Sequence, residues 1–234
     1  MSGIDSRLAG MVYEATIWIL PVIFAVTLHE AAHGFVAYQL GDDTAKRAGR
    51  VSFNPLKHVD PLGTILLPAL LIMIHARFLF GYAKPVPVNF GRLKPLRAGM
   101  ILVALAGPMT NILLAIASAS AFWAVGYVPA VAGEWLARNL INSVQLNIVL
   151  CVFNMIPLPP LDGGRVAVGL LPRTLALPLA RVEPYGVLIL LLFLFVLPYV
   201  GSEIGMDLNY AGRLISVPAN WLIRVVLAIT GQSE

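Results

Sequence analysis

His29, Glu30 and His33 stand in the pattern His-Glu-x-x-His, which has the residue types and the spacing of a zinc site. On a helix, two histidines four residues apart lie on one face, so both imidazoles can bind the same Zn²⁺. The glutamate beside the first histidine can then act as a general base toward water. Hydrophobic residues flank the motif from residue 17 to residue 40. Ionisable side chains in such a segment are costly in lipid, and they mark a functional site by default.

The composition places this motif in a membrane protein. The chain of 234 residues is 59% hydrophobic and 12% charged, with a mean hydropathy of +0.83. These values are typical of integral membrane proteins. The single cysteine, Cys151, excludes a disulfide framework, so a metal site must use histidines and carboxylates. The net charge of +4 does not indicate nucleic-acid binding, because the basic residues are scattered through loops, where membrane orientation explains them. The first ten residues lack a signal-peptide pattern, so we expect the first hydrophobic run to be retained as a helix.

Five or six hydrophobic segments approach the length of about 20 residues that crosses a bilayer. The predicted membrane helices are residues 12–40, 98–125, 142–156 and 185–200, while residues 208–230 either span the membrane or lie at its interface. Pro85 and Pro87 predict an extended backbone for residues 81–90. The predicted fold class is an all-α polytopic membrane protein of about five or six membrane helices, with a re-entrant hairpin and a short extended strand. We expect one membrane-embedded domain over residues 1–234, with a core at about 12–170 and C-terminal helices at 171–234.

A third zinc ligand is needed, because a catalytic zinc site has three protein ligands and one open position. His58 and His75 border polar loops and are weaker candidates. Asp162 follows a proline-rich stretch and precedes two glycines, so unwound chain inside the protein could present its carboxylate. The alternative is an ordinary surface turn at the end of a helix, and the spacing by itself leaves both open.

Three motifs together resemble the site-2 protease family of intramembrane zinc metalloproteases, in its minimal bacterial type without PDZ or CBS domains. The first is His-Glu-x-x-His in a first core helix. The second is Asn154-x-x-Pro-x-x-x-x-Asp162-Gly, and Ala106-Gly107-Pro108 lies between the two. The resemblance covers residues 17–170. It implies an endopeptidase with one Zn²⁺ per chain that hydrolyses peptide bonds in or near transmembrane segments.

The resemblance also assigns roles to individual residues. It implies that His29, His33 and Asp162 are the zinc ligands and that Glu30 is the general base. It places Asn154 near the scissile carbonyl, where the side-chain amide could donate to the developing oxyanion. The alternative role for Asn154 is a local cap at the end of its helix.

The motifs also constrain how the chain is threaded through the membrane. For them to meet at one depth, residues 41 and 97 must lie on the same side. Residues 61–80 would then form a re-entrant hairpin, although a plain crossing is the alternative. Under the positive-inside rule both flanks of this segment are cytoplasmic, which places the N-terminus outside and the zinc site nearer the cytoplasmic face of the cell membrane. The basic residues concerned are Lys46, Arg47, Arg50 and Lys57 before the segment and Arg77, Lys84, Arg92, Lys94 and Arg97 around and after it.

The extended stretch is the predicted binding site for unwound substrate. A transmembrane helix cannot be cleaved while its scissile amide is shielded within the helix. An edge strand beside the zinc could hold the unwound segment by strand addition. The predicted substrate-binding residues are Tyr82, Val86, Val88 and Asn111.

Two other functions fit part of the pattern. A metal-ion transporter or channel would use the intramembrane His, Glu and Asp to bind a translocated ion, and it predicts carboxylates spread along a path. A catalytically silent scaffold predicts a damaged motif, whereas all four key residues are present. The expected partners are the lipid bilayer and a membrane-protein substrate with a transmembrane segment; the sequence carries no indication of the oligomeric state.

Overall fold

The fold is known from a computed structural model, which describes residues 2–66, 70, 73 and 83–232. Its α-helices are α1 (Ser2–Gln39), α2 (Thr44–Arg47), α3 (Leu96–Ala121), α4 (Ala130–Asn154), α5 (Asp162–Leu170), α6 (Arg173–Arg181), α7 (Glu183–Leu191), α8 (Leu197–Glu203) and α9 (Tyr210–Ile229). Short 3₁₀ or π segments are Pro55–Lys57, Pro61–Leu66, Phe90–Arg92, Phe122–Tyr127 and Leu192–Val196. The all-α fold class is confirmed. The predicted short strand is not seen, since residues 83–89 have no regular secondary structure.

Five helical runs in the described residues are long and apolar enough to cross a membrane. They are Ala9–Gln39, Leu96–Tyr127, Ala130–Asn154, Glu183–Glu203 and Tyr210–Ile229. The number agrees with the sequence-based prediction of five or six. The predicted start of the third helix at residue 142 is wrong, because α4 begins at Ala130. Its first turns carry polar side chains that bind α1 instead of forming a loop: the Trp135 indole N–H donates to Thr16 Oγ1 at 3.1 Å.

Helices α1, α3 and α4 form the core that carries the site. Helix α1 runs antiparallel to α3 and parallel to α4. The amide of Asn142 on α4 donates to the Ile17 carbonyl in the first half of α1 at 3.1 Å. At the other end of α1, the Lys94 N–H, just before α3, donates to the Leu40 carbonyl at 2.9 Å. The end of α1 and the start of α3 therefore lie at one end of the bundle, as the threading argument required.

Small residues line the contacts between these helices. Ala115 and Ala119 of α3 are almost fully buried against Ile148 of α4 and Ala219 of α9. Lipid tails are as apolar as leucine, so membrane helices associate through close packing, which small side chains permit. The packing of the core follows this rule.

The chain segments 41–58 and 83–94 lie together at the end of α1. Asp42 is completely buried, and its carboxylate accepts from the N–H of Thr44 at 3.1 Å and from the N–H of Asn89 at 2.6 Å. Burial would raise the pKa of Asp42, but hydrogen bonds from Thr44 and Asn89 outweigh it and hold that pKa below its ordinary value. The guanidinium of buried Arg50 donates to the carbonyls of Lys84 and Pro85. Most of the predicted re-entrant hairpin, residues 67–80, lies outside the described residues except for 70 and 73.

Candidate metal centre

Three side chains from two distant parts of the sequence converge at one point in the core. The Nε2 atoms of His29 and His33 are 3.0 Å apart, and Asp162 Oδ2 lies 3.3 Å from the first and 3.4 Å from the second. All three residues are buried, with 8%, 8% and 6% of their surface exposed. Atoms that can ligate a metal lie within 4.8 Å of one another here. This is the arrangement that a single metal ion requires.

The backbone of α3 and a side chain on it orient the two imidazoles. His33 Nδ1 lies 2.7 Å from the Val103 carbonyl oxygen, and His29 Nδ1 lies 2.6 Å from Asn111 Oδ1. A carbonyl oxygen only accepts hydrogen bonds, so the hydrogen of each ring is on Nδ1. Each Nε2 therefore turns a lone pair toward the shared point, which is the form of histidine that binds metals.

Asp162 is the first residue of α5 and directly follows the irregular segment 155–161. The start of a helix therefore presents the carboxylate, whereas the sequence predicts unwound chain at this position. The glycines after it serve close packing of backbone on backbone. A Cβ on Gly163 would lie 2.2 Å from the Met155 carbonyl oxygen, and one on Gly164 would lie 2.2 Å from the Pro159 nitrogen. The helix start is thereby pressed against the proline-rich loop, which places the carboxylate beside the two imidazoles.

Two observations indicate that the site fits a metal ion. Among the described residues Asp162 Oδ2 is buried without a hydrogen-bond partner, and the two Nε2 atoms that face it carry lone pairs in the neutral forms assigned above. A buried carboxylate oxygen without a donor is costly unless a cation balances it. Gly107 supplies the space: a Cβ there would lie 2.5 Å from both His29 Cε1 and His33 Nε2. Two imidazole nitrogens and one carboxylate oxygen form a donor set typical of catalytic zinc.

Gly107→Ala is expected to disrupt this centre. The new methyl group would occupy the space of the two imidazoles and push them away from Asp162. Zinc content per chain, measured by elemental analysis, should fall strongly while the protein stays helical. Gly126→Ala is the control, because a methyl group at this position, in the 3₁₀ segment after α3, would have nothing within 4 Å. Full zinc occupancy in Gly107→Ala would contradict the close approach of α3 to the ligands.

Glu30 is held from the side by the extended segment. Its Oε2 accepts from the Val86 N–H at 2.8 Å. Val86 is buried with 8% exposure, and a Cβ on Gly34, one turn after Glu30, would lie 3.0 Å from Val86 Cγ1. Gly34 thus allows residues 83–89 to lie directly on α1 beside the site. The sequence predicts this segment beside the zinc, but it carries no signal for the bond between the Val86 amide and Glu30.

Two predicted site residues have local or supporting contacts in the structure. Asn111 is completely buried and contacts His29, whereas the sequence predicts that it binds substrate. Asn154 is the last residue of α4, and its amide donates to the Leu150 carbonyl at 3.0 Å. That contact matches the helix-end alternative for Asn154.

The remaining candidates are distributed as follows. Val88 is partly buried against the cluster of Ala37, Leu93 and Val103. His58 is buried and its Nε2 lies 2.9 Å from the Ser52 carbonyl oxygen, and it does not belong to the metal cluster found among the described residues. Tyr82 and His75, which were also candidates, lie outside the residues that the structure describes.

Comparison with known proteins finds relatives whose names describe them provisionally as zinc metalloproteases. The chain is 40% identical over 202 residues to YwhC of Bacillus subtilis (strain 168), a match that covers 83% of this chain and 86% of the relative. This chain belongs to the zinc metalloprotease family of YwhC. It is also 30% identical over 176 residues to Rip2 of Mycolicibacterium smegmatis, covering 74% of this chain and 64% of that protein. Rip2 of Mycobacterium tuberculosis (strain H37Rv) is 30% identical over 177 residues, covering 75% and 65%.

No family model and no solved structure matches the chain. Family membership therefore rests on the relatives, and it agrees with the cluster of His29, His33 and Asp162. Membership in this family implies that the metal is zinc.

Proposed function

We propose that the protein is an intramembrane zinc endopeptidase of the site-2 protease type, which hydrolyses peptide bonds in or near transmembrane segments. The observation that carries this proposal is the position of the metal centre. His29 and His33 lie inside a helix that is long and apolar enough to cross a membrane, with a glutamate beside the first of them. A zinc centre at that depth can act on peptide bonds that enter the membrane.

Each residue around the centre has its own proposed role in hydrolysis. When bound by His29, His33 and Asp162, zinc supplies a Lewis acid that polarises the substrate carbonyl and lowers the pKa of water. Glu30 takes a proton from the attacking water and passes it to the leaving amine. The Val86 N–H holds one carboxylate oxygen of Glu30 and so fixes the direction of the other.

Asn154 can take part without giving up its contact in α4. One N–H of its side-chain amide donates to the Leu150 carbonyl. We propose that the second N–H of the same amide donates to the developing oxyanion.

A metal-ion transporter is the competing function, and the distribution of charge does not favour it. A transport path requires polar groups at successive depths of the membrane. Here the candidate metal ligands found among the described residues, His29, His33 and Asp162, gather at a single point. Glu30, next to His29 in the chain, is the proposed base.

We propose that the metal centre lies toward the cytoplasmic face of the cell membrane, since the loops at that end of the bundle carry the basic residues. Segments 41–58 and 83–94 contact each other, for example through the Lys84 N–H and the His58 carbonyl at 2.9 Å. Cysteines introduced by Lys46→Cys and Lys94→Cys should therefore both react with a membrane-impermeant thiol reagent added from the cytoplasmic side. Buried Cys151 gives the background. Labelling of the two positions from opposite sides would contradict this topology.

The segment 83–89 offers two amides with different expected roles. The Val86 N–H binds Glu30, whereas no hydrogen bond of the Val88 N–H is found among the described residues. We propose that unwound substrate pairs with the Val88 N–H. Val86→Pro is expected to lower kcat, because a hydrogen bond to a charged group is worth about 1.5–3 kcal/mol, roughly ten- to a hundredfold in rate. Val88→Pro is expected to raise KM by about 2- to 12-fold with kcat little changed.

Steady-state kinetics on a cleaved substrate separates the two effects. Zinc content must stay at the wild-type level in both variants. An equal loss of kcat in both would indicate that the segment is only structural and that substrate binds elsewhere.

The proposed activity is tested with the purified protein in liposomes. A panel of single-span membrane proteins is incubated with the wild-type chain, with and without a zinc chelator. Cleavage of at least one member, lost with the chelator and restored by added zinc, is expected. Zinc transport into the liposomes without any cleavage would instead favour the transporter.

A further inference from the structure

A chain of side-chain amides leads from the metal centre into α4. Asn111 Nδ2 donates to Asn147 Oδ1 at 2.8 Å, and Asn147 Nδ2 donates to the Ser143 carbonyl oxygen at 2.8 Å. Asn111 and Asn147 are almost fully enclosed, with 0% and 1% exposure. None of the sequence motifs includes Asn147.

Backbone carbonyls fix the direction of every amide in this chain. The Ser143 carbonyl oxygen can only accept, so the atom of Asn147 that faces it is the NH₂ group, and Asn147 Oδ1 must face Asn111. Asn111 therefore turns its own NH₂ group toward Asn147, and the Ala25 carbonyl oxygen lies on the same side at 3.4 Å. Asn111 Oδ1 is left to face His29 Nδ1 at 2.6 Å.

We propose that Asn147 is a positioning residue that, through Asn111, fixes His29 in the tautomer with a free lone pair on Nε2. This inference rests on the proposed zinc site. If Asn147 no longer holds the NH₂ group of Asn111, the Asn111 amide can turn over and donate to His29 Nδ1. The hydrogen of the imidazole then moves to Nε2, where it blocks the ligand position.

The buried surroundings determine how strongly the loss of Asn147 affects Asn111. Asn111 and Asn147 lie inside helices of a membrane protein, so water does not replace a lost partner. The structure gives Asn111 one other acceptor, the Ala25 carbonyl, and that contact is long. Loss of a partner that orients a metal-binding histidine typically lowers metal affinity about 10- to 100-fold.

Helix α4 contains a matched control for this proposal. Asn139 is buried with 6% exposure, and its amide donates to the carbonyl four residues earlier, that of Trp135, at 2.9 Å. Asn147 makes the same local bond to Ser143. Only Asn147 also contacts Asn111, so Asn139→Leu removes a buried amide from the same helix without touching the chain of amides.

The test measures zinc affinity of the full chain in detergent by competition with a chelator, together with the visible spectrum of the Co²⁺-substituted protein. Asn147→Leu is expected to lower zinc affinity about tenfold or more and to change the Co²⁺ spectrum. Asn139→Leu should change neither. Asn147→Asp should restore affinity to within a few-fold, because a protonated carboxyl group in this apolar site can donate to Ser143 and accept from Asn111.

Asn147→Thr keeps the proposal testable if the leucine variant does not fold. Its hydroxyl can still donate to the Ser143 carbonyl, but it is too short to reach Asn111, so the same loss of affinity is expected. Unchanged affinity in the leucine or threonine variant, or an equal loss in Asn139→Leu, would overturn the role of Asn147. Absence of zinc binding in the wild-type chain would instead refute the metal centre itself.

Discussion

Glu30→Gln is expected to abolish cleavage while zinc stays bound. The substitution removes the group that accepts the proton of the attacking water, and it leaves all three ligands of the centre in place. Glutamine keeps an oxygen that can accept from the Val86 N–H, so the local geometry is retained. General-base catalysis contributes about 10²–10⁴-fold, so the rate should fall by at least two orders of magnitude. Initial rates on one cleaved substrate and zinc content of the same preparation are the measurements.

Glu134→Gln is the matched control for this prediction. Glu134 is exposed on α4 and pairs with Arg138 at 3.0 Å, and surface pairs of this kind contribute little. Its activity should equal that of the wild-type chain. Activity retained in Glu30→Gln would show that another group is the base, and loss of zinc would show that Glu30 is a ligand.

Asp162→Ala is expected to lose zinc and activity together. The change removes the one anionic group among three candidate ligands, and two neutral imidazoles alone neither complete the coordination nor balance the charge of the ion. Zinc affinity should fall by more than the factor of about 10–100 that is typical for losing a group that merely orients a ligand. Chelator competition on the purified chain measures it.

Asp207→Ala provides the comparison for a carboxylate of no expected role in the site. Asp207 is exposed just before α9 and pairs with Arg213 of that helix. Zinc affinity in that variant should match the wild type. If Asp162→Ala bound zinc normally, Asp162 would be a residue of an ordinary helix start, and the third ligand would have to be sought elsewhere.

The sequence predicts the two histidines and the aspartate as partners through local signals together with a family resemblance. The spacing of His29 and His33 follows from helix geometry, and the prolines and glycines around Asp162 indicate the end of a helix followed by tight backbone. The resemblance to a known family then joined the two motifs. Their meeting point in the structure agrees with this prediction.

Other contacts at the site have no comparable local signal in the sequence. Val103 orients His33 through its backbone carbonyl, which any residue supplies, so its identity could not reveal the role. Val86 reaches Glu30 through its backbone N–H for the same reason. Asn111 and Asn147 are polar residues in apolar helices, which is a signal, but their partners depend on the packing of α1, α3 and α4.

The early start of α4 was missed for a different reason. Trp135, Arg138 and Asn139 made its first turns look too polar for a membrane helix. In the structure, the indole of Trp135 binds Thr16, and Arg138 lies 4.0 Å from Glu14, both on α1. Contacts between helices therefore satisfy polar groups that hydropathy alone assigns to a loop.

The position of the cut in a membrane-embedded substrate is the most direct test of the central claim. A substrate from the liposome panel is cleaved by the wild-type chain, and mass spectrometry of both fragments identifies the scissile bond. The bond is expected within the transmembrane segment or in the residues that border it, and the fragments should be missing with Glu30→Gln. Cleavage only in soluble regions far from the membrane, or the same fragments with Glu30→Gln, would contradict an intramembrane zinc endopeptidase.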